Sequence, residues 1–153
     1  MLEALTAERA YYEQRVRHLG PLRDELAAEM RGLLPEADAS VSFIRRDYTY
    51  LSWFRVGDDL PCLARRQRHA DGPVEVLVDL GAVAAQEATS YAEFGVTEPG
   101  PGDLILAWSV DLTGGERYSL RFRDVAKGED LPDEIPDTYY TGAWDESGTR
   151  FLY

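Results

Sequence analysis

Along residues 2–34 the apolar positions return at helical spacing: Leu2, Leu5, Tyr12, Val16 and Leu19, then Leu22, Leu26, Met30 and Leu33. Such a period predicts amphipathic helix. Gly20-Pro21 breaks or kinks the run, and Pro21 is acceptable in the first turn of a second helix. Thr6 is placed to cap an early turn, while Gly32 and Pro35 end the segment. The expectation is a helix pair packed on a core, with Glu8, Arg9, Glu13, Arg17, Asp24 and Glu25 forming its solvated face.

From Tyr48 the period shortens. YTYLSWFRV is aromatic and β-branched with partial alternation, which suits a strand. Gly57-Asp58-Asp59 reads as a turn, Leu63 to Gln67 as a strand, Asp71-Gly72-Pro73 as a turn and VEVLVDL as a strand. Leu80 to Thr89, rich in alanine, predicts a short helical turn. YAEFGVT, LILAWSVD, YSLRFRDV, TGAW and RFLY continue the series of strands. Helices come first and strands never alternate with long helices, so a parallel βαβ domain is excluded and an antiparallel meander predicted. Glu129, Asp130, Asp133, Glu134 and Asp137, interrupted by Pro132 and Pro136, read as a rigid, solvated loop between strands. EFGVTEPGPGDLILAWS and TGAWDESGTRFLY share a plan that places Trp108 and Tyr153 45 residues apart. That is a propeller-like period, although on pattern alone a sandwich stays open beside a propeller.

The clearest hairpin is SVDLTGGERYSLRFRD, Ser109 to Asp124. Gly114 and Gly115 tolerate the positive φ of its turn. Trp108, Val110, Tyr118, Leu120 and Phe122 are expected to face a neighbouring sheet. Arg117, Arg121 and Arg123, with Asp111 and Asp124 near, are expected to form charge pairs on a wet face.

Composition narrows the function classes. The 28 acidic against 16 basic residues in 153 give a net charge of −12, which repels phosphate backbones and argues against nucleic acid. No apolar run approaches the roughly 20 residues of a membrane span, and the first residues mix Glu and Arg without an apolar signal core. One cysteine, Cys62, cannot form an internal disulfide, so a reducing cytoplasm is expected, with Cys62 half-buried as packing. None of the seven serines sits in a G-x-S-x-G elbow, and His18 and His69 read as exposed side chains. Two distant histidines and one cysteine lack zinc spacing, and the acidic stretch lacks the order of a calcium loop. No Gly-rich loop meets a helix to hold phosphate. We therefore expect no catalytic, cofactor-binding or metal-binding residue within the chain.

SVDLTGGERYSLRFRD, followed by GEDLPDEIPDTYYTGAW, resembles the N-terminal propeller of the prolyl oligopeptidase family, oligopeptidase B branch. DYTYLSWFRVGDDLPCLARR is similar to that branch's first strands and VEVLVDLGAVA to the segment next to them, while PLRDELAAEMRGLLPEADASV resembles its N-terminal extension. Gly115 departs from an acidic residue frequent in the family, and EPGPGDLIL replaces a Pro-Asp-Gly turn. The resemblance implies a mainly β chain with an N-terminal helical extension over residues 1–40. Residues 41–153 would supply the first antiparallel four-stranded blades of a seven-bladed β-propeller. It implies a partner, an α/β-hydrolase catalytic domain with a Ser, Asp and His triad absent from this chain. It also implies short Arg- or Lys-containing peptides as substrates, with the propeller gating their access. A freestanding β-rich binding module is the other reading. Either way, open sheet edges are expected to favour self-association, because Phe151-Leu152-Tyr153 carries no charged or proline guard.

Overall fold

Helical spacing in the first residues produces helices without producing a core. In the computed structural model, which describes residues 2–35, 38–70 and 72–153, α1 (Leu2–Val16) runs through a 3₁₀ turn (Arg17–Leu19) into α2 (Gly20–Gly32). Pro21 lies in the first turn of α2, where its missing N–H has no helical partner to lose. Thr6 does not cap. Its hydroxyl donates back to the Leu2 carbonyl at 3.0 Å inside α1. Taken by itself the helical unit has no core of its own: none of residues 2–35 is buried. Over α1 the apolar and charged side chains are spread round the helix rather than gathered on one face, so the spacing yields helix without an amphipathic stripe. The chain divides into two compact units, residues 1–36 and 37–153. Among the described residues no helix is long and apolar enough to cross a membrane.

The strand unit is antiparallel throughout. In sheet 1, β1 (Asp38–Ala39) and β2 (Phe43–Arg45) both pair with β3 (Tyr48–Phe54), followed by β4 (Cys62–Gln67) and β5 (Glu75–Asp79). The unit therefore begins its pairing at Asp38. Asp79 caps α3 (Leu80–Gln86), its carboxylate accepting the Ala82 N–H at 3.1 Å. Of the expected Asp71-Gly72-Pro73 turn, Asp71 lies outside the described residues. Sheet 2 is a four-stranded meander, β6 (Glu93–Pro99), β7 (Ile105–Asp111), β8 (Tyr118–Asp124) and β9 (Glu129–Thr138). β10 (Ala143–Trp144) and β11 (Phe151–Leu152) form a third, two-stranded sheet.

Strand β9 corrects the expected acidic loop. Ten residues with two prolines form the outermost strand of sheet 2, pairing Leu120 with Ile135, Arg121 with Glu134 and Arg123 with Asp130. The register shifts twice, and neither Pro132 nor Pro136 occupies a paired position. An edge strand tolerates proline because one row of its backbone groups has no ladder to complete.

The expected repeat is realised as register. Glu98 faces Ala107 and Pro99 faces Leu106 in sheet 2; 45 residues on, Ala143 faces Leu152 and Trp144 faces Phe151. Sheet 2 has apolar residues on both faces. Leu106, Trp108 and Val110 join Tyr50, Leu63, Leu77, Val78 and Leu80 in one cluster. Val96, Ala107 and Leu120 pack with Phe122, Ile135, Trp144 and Phe151 in another. Successive sheets thus stack face to face, with β7 buried on both sides.

Candidate functional site

The Ser109–Asp124 hairpin, read as having one apolar and one wet face, packs apolar residues on both. Cross-strand partners share a face, and Trp108 pairs with Arg121, Leu106 with Arg123, Ala107 with Phe122 and Ser109 with Leu120. Trp108 and Val110 therefore lie opposite Leu120 and Phe122, and the arginines share the face of Trp108. Arg121 and Arg123 are only 19% and 23% exposed. The Arg121 guanidinium sits 5.5 Å from the Trp108 ring centre and donates to Glu134 at 3.1 Å. Asp130 accepts from Trp108 Nε1 and from Arg123, each at 3.1 Å. Arg117 pairs with Asp137 at 2.9 Å. Three carboxylates of β9, Asp130, Glu134 and Asp137, are thus engaged by arginines of the β7–β8 hairpin.

Asp111 pairs with no arginine among the described residues. It is fully buried and accepts from Thr113 N and Oγ1 at 2.8 Å, Gly114 N at 3.2 Å and Glu116 N at 2.7 Å. Burial alone pushes its carboxyl up, but these donors outweigh it and hold the group below the usual carboxylate range. Gly114 and Glu116 carry the positive φ of the turn, 74° and 55°, and Gly115 does not.

The sheet 1–sheet 2 seam holds the polar site that sequence reading missed. After Gly100 the chain makes a 3₁₀ turn, Pro101–Asp103, in which Gly102 and Asp103 have φ of 82° and 57°. Asp103 is buried. Its carboxylate Oδ1 accepts the Tyr50 hydroxyl at 2.9 Å, and its carbonyl accepts Arg65 Nη1 at 2.9 Å. Arg65 also donates to Glu75 at 2.7 Å and stacks 4.1 Å from the Tyr48 ring centre. Burial pushes the Tyr50 hydroxyl up to about 12. A second ion pair, Arg45 with Glu98, ties β2 to β6. The available signal was the EPGPGDLIL departure, because Asp103 stands 45 residues before Gly148, which itself has φ of 72°.

The residues weighed for chemistry are dispersed. Ser109 is buried and its Oγ accepts the Val96 N–H at 2.8 Å, a structural bond. His18 and His69 are exposed, and neither side chain hydrogen-bonds among the described residues. Cys62 is fully rather than half buried, donates to the Trp53 carbonyl at 3.2 Å, and has its thiol pushed up by burial. Among the described residues no three His, Cys, Asp or Glu side chains gather as metal ligands.

Residues 3–153 match the family profile of the prolyl oligopeptidase N-terminal beta-propeller domain. Over its whole length the chain is 30% identical to dipeptidyl aminopeptidase BI of Pseudoxanthomonas mexicana, covering 23% of that protein. Oligopeptidase B of Leishmania major superposes with a TM-score of 0.81 at 24% identity, over 95% of this chain and 21% of that one. Oligopeptidase B of Trypanosoma brucei, in a closed form with covalently bound antipain, gives 0.75 at 26% identity over 94% and 20%. The chain thus spans under a quarter of the length of these relatives.

Proposed function

The chain belongs to the prolyl oligopeptidase N-terminal β-propeller family, and on that premise we propose that it supplies the opening blades of an oligopeptidase B-like serine peptidase. In this reading the blades restrict a catalytic α/β-hydrolase domain to short peptides carrying Arg or Lys, in a reducing cytoplasm where Cys62 stays a thiol. The observation that carries it is the seam: sheets 1 and 2 stack through a shared apolar cluster and are cross-tied by Tyr50, Arg65 and Asp103. Face-to-face stacking of successive antiparallel sheets is how a propeller wall is built.

The test is a chimera in which this chain replaces the matching fifth of Leishmania major oligopeptidase B. The chimera should cleave a short Arg-containing peptide and spare a reduced, unfolded protein carrying the same cleavage site. Equal cleavage of both by a folded chimera would overturn the gating role.

A further inference from the structure

At the end of sheet 2 that bears the β7–β8 hairpin and the β9–β10 connection lies a cavity of about 430 Å³, lined by Glu93, Gly95, Glu116, Tyr118, Tyr139 and Tyr140. Its wall is aromatic. Tyr139 and Tyr140 are about half exposed, with ring centres 4.2 Å apart. Beneath them Tyr118 is only 4% exposed, yet its hydroxyl has no hydrogen-bond partner among the described residues and is not sealed from the cavity. Gly95 makes room for this ring, since a Cβ there would stand 2.7 Å from Tyr118 Cδ1.

The charge of the cavity is uncompensated. Glu93 accepts the Tyr91 hydroxyl at 2.7 Å, and neither Glu93 nor Glu116 pairs with a cation among the described residues. The neighbouring cation, Arg117, is held by Asp137. The tyrosines register this field. The Tyr91 hydroxyl is pushed up to about 12, first by its bond to Glu93. Tyr118 is raised by burial and then by Glu93, Asp111 and Glu116; Tyr139 is raised by Tyr140 first, with Glu116 adding to it.

We infer that this cavity is a binding site for the guanidinium of an arginine side chain, which would stack on the Tyr139–Tyr140 wall and donate to Glu93, Glu116 and the Tyr118 hydroxyl. Guanidinium fits better than ammonium, because a planar cation with five donors can lie on an aromatic face while serving several acceptors at its edge. A metal ion fits poorly, since two carboxylates among neutral phenols leave most of a hard cation's oxygen shell unfilled. The inference goes beyond the peptidase reading and does not rest on it, because the chain itself is the binder.

The experiment is a titration of the full chain with Nα-acetyl-arginine amide, followed by the ring resonances of its tyrosines, with Nα-acetyl-citrulline amide as the uncharged isostere. The arginine probe should bind at least about tenfold more tightly than citrulline. Glu93→Gln with Glu116→Gln should weaken it by at least about tenfold, and Tyr118→Phe by about threefold. Asp133→Asn, an exposed acid on β9, should change nothing and separates a local site from general attraction to an acidic surface. These variants alter exposed groups or one hydroxyl, and unchanged tryptophan fluorescence confirms their fold. Equal binding of the two probes, no binding of either, wild-type affinity in the double Gln variant, or an equal loss in Asp133→Asn would each overturn the site.

Discussion

The Tyr50–Asp103 bond across the seam lends itself to a double-mutant cycle. Tyr50→Phe removes one hydroxyl and leaves a buried carboxylate short of its donor, which costs about 2 kcal/mol for a hydrogen bond to a charged acceptor. Asp103→Gly removes the acceptor and orphans the hydroxyl at a similar cost. It also releases about 1 kcal/mol of left-handed backbone strain, since φ of 57° is free to glycine. Its net cost is therefore about 1 kcal/mol. The double variant has neither orphan and keeps the relief, so it should lie close to the wild type, against about 3 kcal/mol if the effects were additive. Urea unfolding monitored by the tryptophan fluorescence, to which the buried Trp108 contributes, reads all four proteins. Additivity within about 0.5 kcal/mol would refute the latch. Alkali reads the burial of the same hydroxyl. The folded Tyr50 hydroxyl titrates near 12 against about 10 when unfolded, so its stabilisation is whole below pH 10 and lost as pH rises towards 12. Other tyrosines share that range, so the quantity to compare is the alkaline slope, which should flatten in Tyr50→Phe.

The geometry dictates two more outcomes. Asp111→Ala strips four donors of their acceptor and should cost about 2–4 kcal/mol in urea. Because its folded carboxyl titrates low, its contribution is present above the unfolded value near 4 and fades as pH falls through the folded value, so the variant should lose less stability than the wild type on acidification. The wild-type chain should sediment with concentration-dependent association through β11, where Leu152 and Tyr153 are exposed, and Leu152→Lys should leave a monomer; a wild type that is monomeric at every concentration refutes this.

What was legible in the sequence was whatever a single strand or helix states about itself. Strands β3 to β8, the helix over 80–86, the break near Gly20-Pro21 and the 45-residue repeat all lie in local pattern. What was illegible depends on a second surface. Alternation along the hairpin shows two faces, but both became apolar because a sheet lies on each side, and Arg121 and Arg123 are accommodated by Trp108 and the acids of β9. Those acids looked like a loop because proline and charge lower strand propensity, a rule that an outer edge suspends. The helices show the converse, helical spacing that builds no core of its own.

The same contrast explains why the polar latch sits where it does. Register repeats every 45 residues between β6–β7 and β10–β11, so their connecting turns occupy equivalent places. In the later turn the left-handed position is Gly148, whose Cα faces the Pro101 ring so closely that a Cβ would lie 2.9 Å from it. In the earlier turn that position is Asp103, a residue that resists this backbone conformation more than glycine does. A strained choice persists where the side chain returns more than the strain, and here it returns the acceptor for a buried Tyr50 hydroxyl while the adjoining carbonyl takes Arg65. Apolar stacking by itself lets two sheets slide or rotate at little cost, because it is non-directional. Directional bonds from one turn to two strands of the preceding sheet define a single seating, which is what successive blades need if their rotation is to add up around a ring.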